Sequence, residues 1–323
     1  MESSTSSEIL DLRHFSAAML RLILDAEGQI WKERLTWDYR ASARLLMQYL
    51  DNHMLPGFAA VVDEQVTGYV FCVYEETKAV IGDVFAIDDV QQHGEQAHKL
   101  EELLLKHLLE LLVNSPQVDR IESQLLLHPS GSHSAIFGKA GFEVFRRLFM
   151  LQQLAGLWNA PQPSLPNELE LRSWRDEDLA PAARLICDAY HNHPDSLIND
   201  QYRSVHGSMR FLNNIVRYSG CGTFSAPASH VVVHRSSREF VALVLGSRVS
   251  QESGHITQLC VHPSYRRRGL ARMLLSAAGY HFMRQGATEI SLTVTEANQQ
   301  AIDLYLSEGY NCTHKFDAAV WER

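Results

Sequence analysis

The stretch that decides the fold is residues 256–271, ITQLCVHPSYRRRGLA. It reads as an apolar strand, a proline turn, three consecutive arginines and a glycine at the start of a helical pattern. The first amides of a helix have no partner within the helix, the helix dipole is positive there, and a glycine lets the backbone approach a ligand closely. The sequence therefore predicts an anion site, formed by Arg266, Arg267, Arg268, Gly269, Leu270 and Ala271.

A second segment supports the interpretation of this loop as an anion site. The basic loop alone would also fit a solvated turn or a localisation-like patch. Residues 298–310 read NQQAIDLYLSEGY and follow a predicted strand at residues 289–295. Together the two segments resemble the GNAT acetyltransferase superfamily, whose motifs are Gln/Arg-x-x-Gly-x-Gly/Ala and Asn-x-x-Ala-x-x-Leu-Tyr-x-x-x-Gly-Phe/Tyr. The matching residues are Arg266, Gly269, Ala271, Asn298, Ala301, Leu304, Tyr305, Gly309 and Tyr310.

This resemblance implies that acetyl-CoA is the cosubstrate and that no metal takes part. In the family, the amides of the loop at residues 266–271 bind the pyrophosphate of coenzyme A. Backbone groups of the preceding strand, here Leu259, Cys260 and Val261, pair with the pantetheine arm as an added strand does. Asn298 is expected to contact the same arm.

Two residues are candidates for proton transfer. Tyr305 matches the family tyrosine that protonates the departing thiolate, and a phenol with a reference pKa of about 10 holds its proton at neutral pH. His255 begins the cofactor-binding strand, where the family often places a base. Three alternatives stay open: His255 is one surface histidine among 16, Gln258 positions a water instead, or Tyr305 is a core aromatic.

The N-terminal half repeats the order of strands and helices predicted for the C-terminal half. Residues 139–142 read KAGF where residues 307–310 read SEGY, and the proline-rich stretch AGLWNAPQPSLPN at 155–167 marks the boundary. We therefore predict an α/β fold of two tandem GNAT-like domains, each a mixed, mostly antiparallel sheet flanked by helices. The expected domains are residues 8–154 and 168–323.

The N-terminal copy departs from the family pattern at the motif positions. Aligning the halves places Glu95 at the position of Gly269, Phe137 at that of Tyr305 and Ser130 at that of Asn298. A carboxylate at the first of these positions would face a bound pyrophosphate, and a phenylalanine has no proton to donate. We expect this copy to be degenerate and the C-terminal copy to be catalytic.

Composition limits the partners and the compartment. A net charge of −9 disfavours nucleic acid and anionic membranes as main partners and suits a cationic amine. The five cysteines are scattered without a CxxC pair, which fits reduced thiols and gives no zinc pattern. The first eight residues have no signal-peptide pattern, and no apolar run is long enough to span a membrane. We expect a cytoplasmic protein.

The favoured function is an N-acetyltransferase that acts directly on a primary amine of a small molecule or peptide. A non-catalytic acyl-CoA sensor or interaction protein is the alternative from a different class. Transfer of a longer acyl group, or transfer to a thiol-precursor amine, also fits the resemblance. The sequence does not rank the acceptors and does not predict an oligomeric state.

Overall fold

The computed structural model describes residues 7–87, 95–154, 165–218 and 222–323. The chain forms two compact units. Unit 1 comprises Met1–Leu35, Tyr39–Arg146 and Phe316–Arg323, and unit 2 comprises Thr36–Asp38 and Arg147–Lys315. The serine-rich start at residues 1–6 and most of the expected linker, residues 155–164, lie outside the described residues.

Unit 1 contains one mixed sheet with the strand order β1-β2-β3-β4-β5-β13. Only β4 and β5 run parallel; the other neighbours are antiparallel. The leucine-rich face of α3 packs on this sheet and forms the core of the unit. The helices and strands up to residue 154, together with the last strand, have the following bounds; β6 among them belongs mainly to the sheet of unit 2. They are β1 Glu8–Asp11, α1 Ala17–Leu35, α2 Arg40–Asp51, β2 Gly57–Val62, β3 Gln65–Glu75, β4 Lys78–Ala86, α3 Glu95–Val113, β5 Arg120–Gln124, α4 Ser134–Lys139, β6 Glu143–Gln153 and β13 Asn311–Glu322.

Unit 2 repeats this plan with the strand order β7-β9-β10-β11-β12-β6, and a short strand β8 pairs with β10. Here β11 and β12 are the parallel pair. The remaining bounds are β7 Leu169–Ser173, α5 Leu179–Ala189, α6 Asp195–Ile198, α7 Val205–Arg217, β8 Thr223–Phe224, β9 His230–His234, β10 Phe240–Arg248, β11 Ser253–Val261, α8 Leu270–Arg284, β12 Glu289–Thr295 and α9 Gln299–Ser307.

The sheet of unit 2 is covered on both faces, which explains why its central strands are almost continuously apolar. Helices α8 and α9 pack on one face and α5 and α7 on the other. Phe282 of α8 lies against Gly246 and Gly254, where an added Cβ would come within 2.8 and 2.7 Å of the ring. These two glycines therefore let α8 pack closely on β10 and β11.

The predicted fold class is confirmed, and most predicted elements have their counterparts. The hydrophobic spacing of residues 201–216 predicts one helix, whereas the structure has a 3-10 turn at Asp200–Arg203 followed by α7. The same spacing predicts helical stretches within residues 16–50, and these are α1 and α2. The units also differ in their ends from the expected domains: residues 147–154 belong to unit 2, and Phe316–Arg323 belongs to unit 1. Each sheet therefore takes one strand segment from the other half of the sequence.

Candidate active site

A cleft opens in unit 2 where β11 and β12 separate. Their register ends at the pair Ile256 and Leu292, yet β11 continues to Val261 and β12 to Thr295. A register shift in the pairing of β10 with β11, between Leu245 and Gly246, bends the strand at this level. The predicted pantetheine strand, Leu259 to Val261, lies beyond this separation.

The basic loop ends at the first turn of α8. Gly269 occupies the N-cap with φ 79°, a left-handed conformation that favours glycine, and among the described residues no side chain is seen to cap the first amides of the helix. The guanidinium of Arg266 donates to the carbonyl of Ala189 at 2.8 Å and to that of Val261 at 3.3 Å. Arg266 therefore ties the loop to the end of α5, and the uncapped amides remain available to an anion.

Tyr305 lies on α9 with 8% of its surface exposed. The helix begins at Asn298, whose side chain accepts a hydrogen bond from the amide of Ala301 at 3.2 Å. Burial and the nearby Asp195 raise the pKa of Tyr305 above its ordinary value, although Arg147 opposes the shift. Its hydroxyl makes no hydrogen bond to any residue that the structure describes. The phenol is therefore protonated at neutral pH and can still donate a hydrogen bond.

Several polar side chains form a group around the end of β12, and the sequence predicted only some of them as site residues. The hydroxyl of Thr295 donates to Asp195 at 2.5 Å, and the amide of Asp195 donates to His193 Nδ1 at 3.2 Å. The other ring nitrogen of His193 lies 3.4 Å from the side-chain nitrogen of Asn298. Arg147 of β6 donates to Thr293 at 3.3 Å. Asp195 and Arg147 therefore bring opposite charges to the region around Tyr305.

Sequence reasoning missed Asp195, Thr295 and Arg147 as site residues. The position of Asp195, just after His191 and His193, was an available signal. Thr295, as the last residue of a predicted strand beside the Asn298 motif, was another. No local signal pointed to Arg147, because its strand was assigned to the N-terminal domain.

A cavity of about 480 Å³ adjoins this polar group. Tyr190 and Tyr202 form one wall with their rings stacked at 4.3 Å, and the Tyr202 hydroxyl donates to Gln258 Oε1 at 3.1 Å. The side-chain nitrogen of Gln258 is buried and has no hydrogen-bond partner among the described residues, so it can bind a carbonyl or a water. The lining residues are Cys187, Tyr190, His191, Asn192, His193, Pro194, Ser196, Leu197, Tyr202 and Arg203.

Cys260 lies on the cavity-side face of β11, packed in the core with α5 and α7. Burial raises the pKa of its thiol to about 12, so the thiolate form is scarce at neutral pH. This property disfavours a covalent acyl-cysteine intermediate and fits the expected role of Cys260 in the strand backbone.

The surroundings of His255 disfavour its predicted role as the base. The ring is 5% exposed, packs against Trp37 and Phe149, and its Nδ1 lies 2.9 Å from the hydroxyl of Ser291. Burial, with a contribution from Arg147, lowers the pKa of His255 to about 3. Its strand position explains this burial, because His255 and Ser291 pair before β11 and β12 separate.

Replacing His255 by asparagine is expected to make the protein less sensitive to acid. In the unfolded chain histidine takes a proton near pH 6.5, whereas the folded site accepts one only near pH 3. The unfolded state binds the extra proton between these values, so His255 removes stability as the pH falls. The slope of the unfolding free energy between pH 6 and pH 4 should decrease by about 1.4 kcal/mol per pH unit.

Denaturant unfolding at a series of pH values measures this slope. His14→Asn, at an exposed histidine, is the control for the substitution itself. Equal slopes for wild type and His255→Asn would contradict the burial of a neutral imidazole. The same variant should keep the acid limb of the kcat/KM profile, since a group with pKa about 3 does not titrate there.

Unit 1 has a corresponding pair of strands but different residues at the motif positions. Its parallel register ends at Ile81 and Ser123, and Phe137 packs on Phe142 with ring centres 5.2 Å apart, much as Tyr305 packs on Tyr310 at 5.8 Å. Ser130 donates to Asp317 at 2.5 Å. The carboxylate of Glu95 is exposed and pairs with Lys99 at 2.7 Å.

Comparison with known proteins identifies the fold of the chain and the family of one domain. Residues 195–310 match the family model "Acetyltransferase (GNAT) family". The chain carries a GNAT acetyltransferase domain. The matched segment contains β11, the basic loop, Asn298 and Tyr305, so the sequence resemblance is confirmed and the chain is an acyltransferase. GNAT enzymes use acetyl-CoA and act on amines of small molecules or peptides.

Solved structures similar to this acetyltransferase show the same fold over nearly the whole chain. A GCN5-related N-acetyltransferase from Sphaerobacter thermophilus is 17% identical, with 98% of this chain and 95% of that chain covered and a TM-score of 0.61. A tandem GNAT protein from the clavulanic acid biosynthesis pathway is 14% identical, with 98% of each chain covered and a TM-score of 0.60. A glucosamine N-acetyltransferase region of a fungal multi-domain GH3 β-N-acetylglucosaminidase is 13% identical, with 99% of this chain and 38% of that chain covered and a TM-score of 0.65.

The helices of the acetyltransferase were compared with the length and hydropathy of membrane-spanning helices. None of the helices in the described ranges combines the length and the hydropathy that crossing a bilayer requires.

Proposed function

We propose that the C-terminal domain, residues 168–323 together with the segments that complete unit 2, transfers an acetyl group from acetyl-CoA directly to a primary amine. The observation that supports this most is the protonated, buried Tyr305 beside the cleft between β11 and β12. A sensor that only binds acyl-CoA has no use for a proton donor at this place.

The residues of the cleft fit the cosubstrate. The uncapped first turn of α8 suits a pyrophosphate, and the part of β11 at residues 259–261 that no longer pairs with β12 suits the amides of pantetheine. The carbonyls of Leu259 and Val261 accept hydrogen bonds from Tyr190 at 3.4 Å and Arg266 at 3.3 Å, so a bound pantetheine would replace or share these contacts. Asn298 already uses its oxygen to cap α9, which leaves its side-chain nitrogen as a donor toward the cleft. Acetyl-CoA supplies the activated acetyl group when it binds.

Tyr305 holds the proton that a departing thiolate needs. Its pKa lies above the ordinary value, so the hydroxyl remains protonated throughout the neutral range. Arg147 places a positive charge in the same region, where it favours negative charge that develops on the reacting atoms.

The amine must lose a proton before it attacks, because an alkyl ammonium has a pKa of about 10.4. The carboxylate of Asp195 attracts the cationic form. His193 lies beside Asp195 and lines the cavity, and burial lowers its pKa, so its imidazole is neutral at pH 7. Its Nδ1 accepts from the Asp195 amide at 3.2 Å, so this nitrogen must give up that hydrogen bond to take the proton of the amine. We therefore assign the base role to His193, with the open cavity as the route to bulk water, rather than to His255.

The N-terminal copy is proposed to bind no cosubstrate. Phe137 has no acidic proton to donate. Ser130, at the position that Asn298 has in the C-terminal copy, donates a hydrogen bond to Asp317. Glu95 carries a negative charge at the start of α3, although its ion pair with Lys99 turns it toward solvent.

Release of free CoA in the presence of amines tests the proposal. The full chain is given acetyl-CoA and a panel of small primary amines, amino-acid amides and short peptides, with propionyl-CoA and longer acyl-CoA thioesters as comparison donors. We expect amine-dependent CoA release with acetyl-CoA as the preferred donor. Acetyl-CoA binding in the absence of release with every amine would favour the acyl-CoA sensor.

A further inference from the structure

A cluster of histidine and carboxylate side chains lies in unit 1 and contains no residue assigned to acetyl transfer. His98 and Glu101 are one turn apart on α3 and share a face of that helix. His128 and His133 belong to the segment between β5 and α4. Glu101 and His133 are 8% and 4% exposed. The fold therefore brings four potential metal ligands from two distant segments to one place.

Three ligand atoms form a nearly equilateral triangle. His133 Nε2 lies 3.3 Å from His128 Nδ1 and 3.5 Å from Glu101 Oε2, and His128 Nδ1 lies 3.6 Å from the same oxygen. Zinc binds imidazole nitrogen and carboxylate oxygen at about 2.0–2.2 Å, so neighbouring ligands of a tetrahedral site lie about 3.3 Å apart. The three separations match that spacing within a few tenths of an ångström.

The second nitrogen of His128 supports the same assignment. His128 Nε2 lies 2.8 Å from the carbonyl of Val84, so it must carry the proton and donate it. Asp83 Oδ1 lies 3.7 Å from this nitrogen. A metal-binding histidine commonly donates its other ring N–H to a carbonyl or carboxylate, which fixes the ring and its tautomer. In the neutral ring, the lone pair of Nδ1 then points toward Glu101 and His133.

His98 stands at the open side of the triangle. Its Nδ1 lies 3.9 Å from Glu101 Oε2, and its ring stacks on His133 with centres 5.2 Å apart. His98, Glu101 and His133 each present one ligand atom, and these atoms lie within 4.8 Å of one another. The side chain of His98 is 42% exposed, so it also lies where an ion would enter.

We propose that unit 1 binds one zinc-type divalent cation through Glu101 Oε2, His128 Nδ1 and His133 Nε2, and that the half-exposed ring of His98 turns inward to become the fourth ligand. Four protein ligands close the coordination sphere, which is typical of a structural zinc site. The ion would join α3 to the segment that precedes α4, and its binding would stabilise unit 1.

Zinc binding by the full chain tests the proposal. The protein is purified without an affinity tag, stripped with a chelator, and titrated with Zn²⁺ against a chromophoric competitor. We expect one equivalent of Zn²⁺ per chain, a melting temperature that rises with free Zn²⁺, and the visible absorption of tetrahedral Co²⁺ when Co²⁺ is used instead.

Two variants locate the site, and one variant on the same helix is the control. Glu101→Gln keeps the shape of the side chain and should weaken Zn²⁺ binding by at least about 100-fold, and the more exposed His98→Asn by at least about 10-fold. His107→Asn, whose ring bonds to the carbonyl of Leu103 on α3, should bind as the wild type does.

The competing explanation is a metal-free hydrogen-bonded network of the same side chains. Absence of saturable Zn²⁺ binding by the folded wild type would establish that network and overturn the proposal. Binding that is unchanged in both His98→Asn and Glu101→Gln would overturn it as well, because the ion would then lie elsewhere. If Glu101→Gln does not fold, zinc-edge X-ray absorption of the wild type decides, since the site requires only nitrogen and oxygen ligands.

Discussion

Replacing Gly269 by glutamate is expected to weaken acetyl-CoA binding by about a thousandfold. The new carboxylate would stand at the start of α8, where no side chain caps the amides proposed to bind the pyrophosphate. Two like charges about 4 Å apart repel by on the order of 4 kcal/mol at an effective dielectric of 20, which corresponds to this factor in affinity. Calorimetric titration of the full chain with acetyl-CoA measures the loss.

The other end of the same helix supplies a matched control. Gly286 has φ 88°, against 79° for Gly269, and an added Cβ at either position meets no atom within 4 Å. Gly286→Glu therefore carries the same backbone strain, roughly 1–2 kcal/mol, and the same charge. It should bind acetyl-CoA with wild-type affinity, so that a loss specific to Gly269→Glu reports on the anion site.

The same titration counts the sites. We expect one equivalent of acetyl-CoA per wild-type chain and none, at the concentrations used, for Gly269→Glu. Two equivalents in the wild type, of which one survives in Gly269→Glu, would show that the N-terminal copy binds the cosubstrate. Unchanged affinity of the folded variant would remove the loop at residues 266–271 from the site.

Replacing Tyr305 by phenylalanine is expected to lower kcat by about 100-fold with little change in acetyl-CoA affinity. The substitution removes only the hydroxyl, and general acid catalysis contributes at least about this factor. The ring remains in its packing against Tyr310, so the fold should be kept. Because the pKa of Tyr305 is raised, the wild type should show no loss of activity from this group below pH 10.

Tyr310→Phe is the control for this experiment. Tyr310 is also buried, its ring centre lies 5.8 Å from that of Tyr305, and its hydroxyl has no hydrogen-bond partner in the described part of the chain. Removing that hydroxyl should leave kcat unchanged. Single-turnover measurements show whether chemistry limits the rate; if it does and Tyr305→Phe is as fast as the wild type, Tyr305 is not the acid.

Local patterns were sufficient for most helices and strands and for the conformation of the proposed cofactor loop. The helix from Leu270 to Arg284, its left-handed glycine at Gly269 and the cap at Asn298 depend on residues that are neighbours in the sequence. Hydrophobic periodicity and capping depend on residues within one or two helical turns of each other. They can therefore be recognised in the sequence before the tertiary structure is known.

The surroundings of the candidate site residues could not be deduced in this way. His255 has the same neighbours in the sequence whether it faces a cleft or a core, and only packing against Trp37 and Phe149 buries it. Arg147 was assigned to the N-terminal domain, yet β6 pairs with β12 along its length and brings Arg147 beside Thr293.

The sequence by itself determined the family of the domain at residues 195–310, the order of strands and helices and the position of the turn proposed to bind phosphate. Each of these depends on short-range periodicity and on a contiguous motif. Only the tertiary structure decided which charges surround Tyr305, which histidine is accessible, and that Glu101, His128 and His133 meet in unit 1. The physical reason is that burial and electrostatic surroundings come from contacts between segments distant in the sequence, and strand pairing between the two halves of the chain leaves no periodic signal in either half.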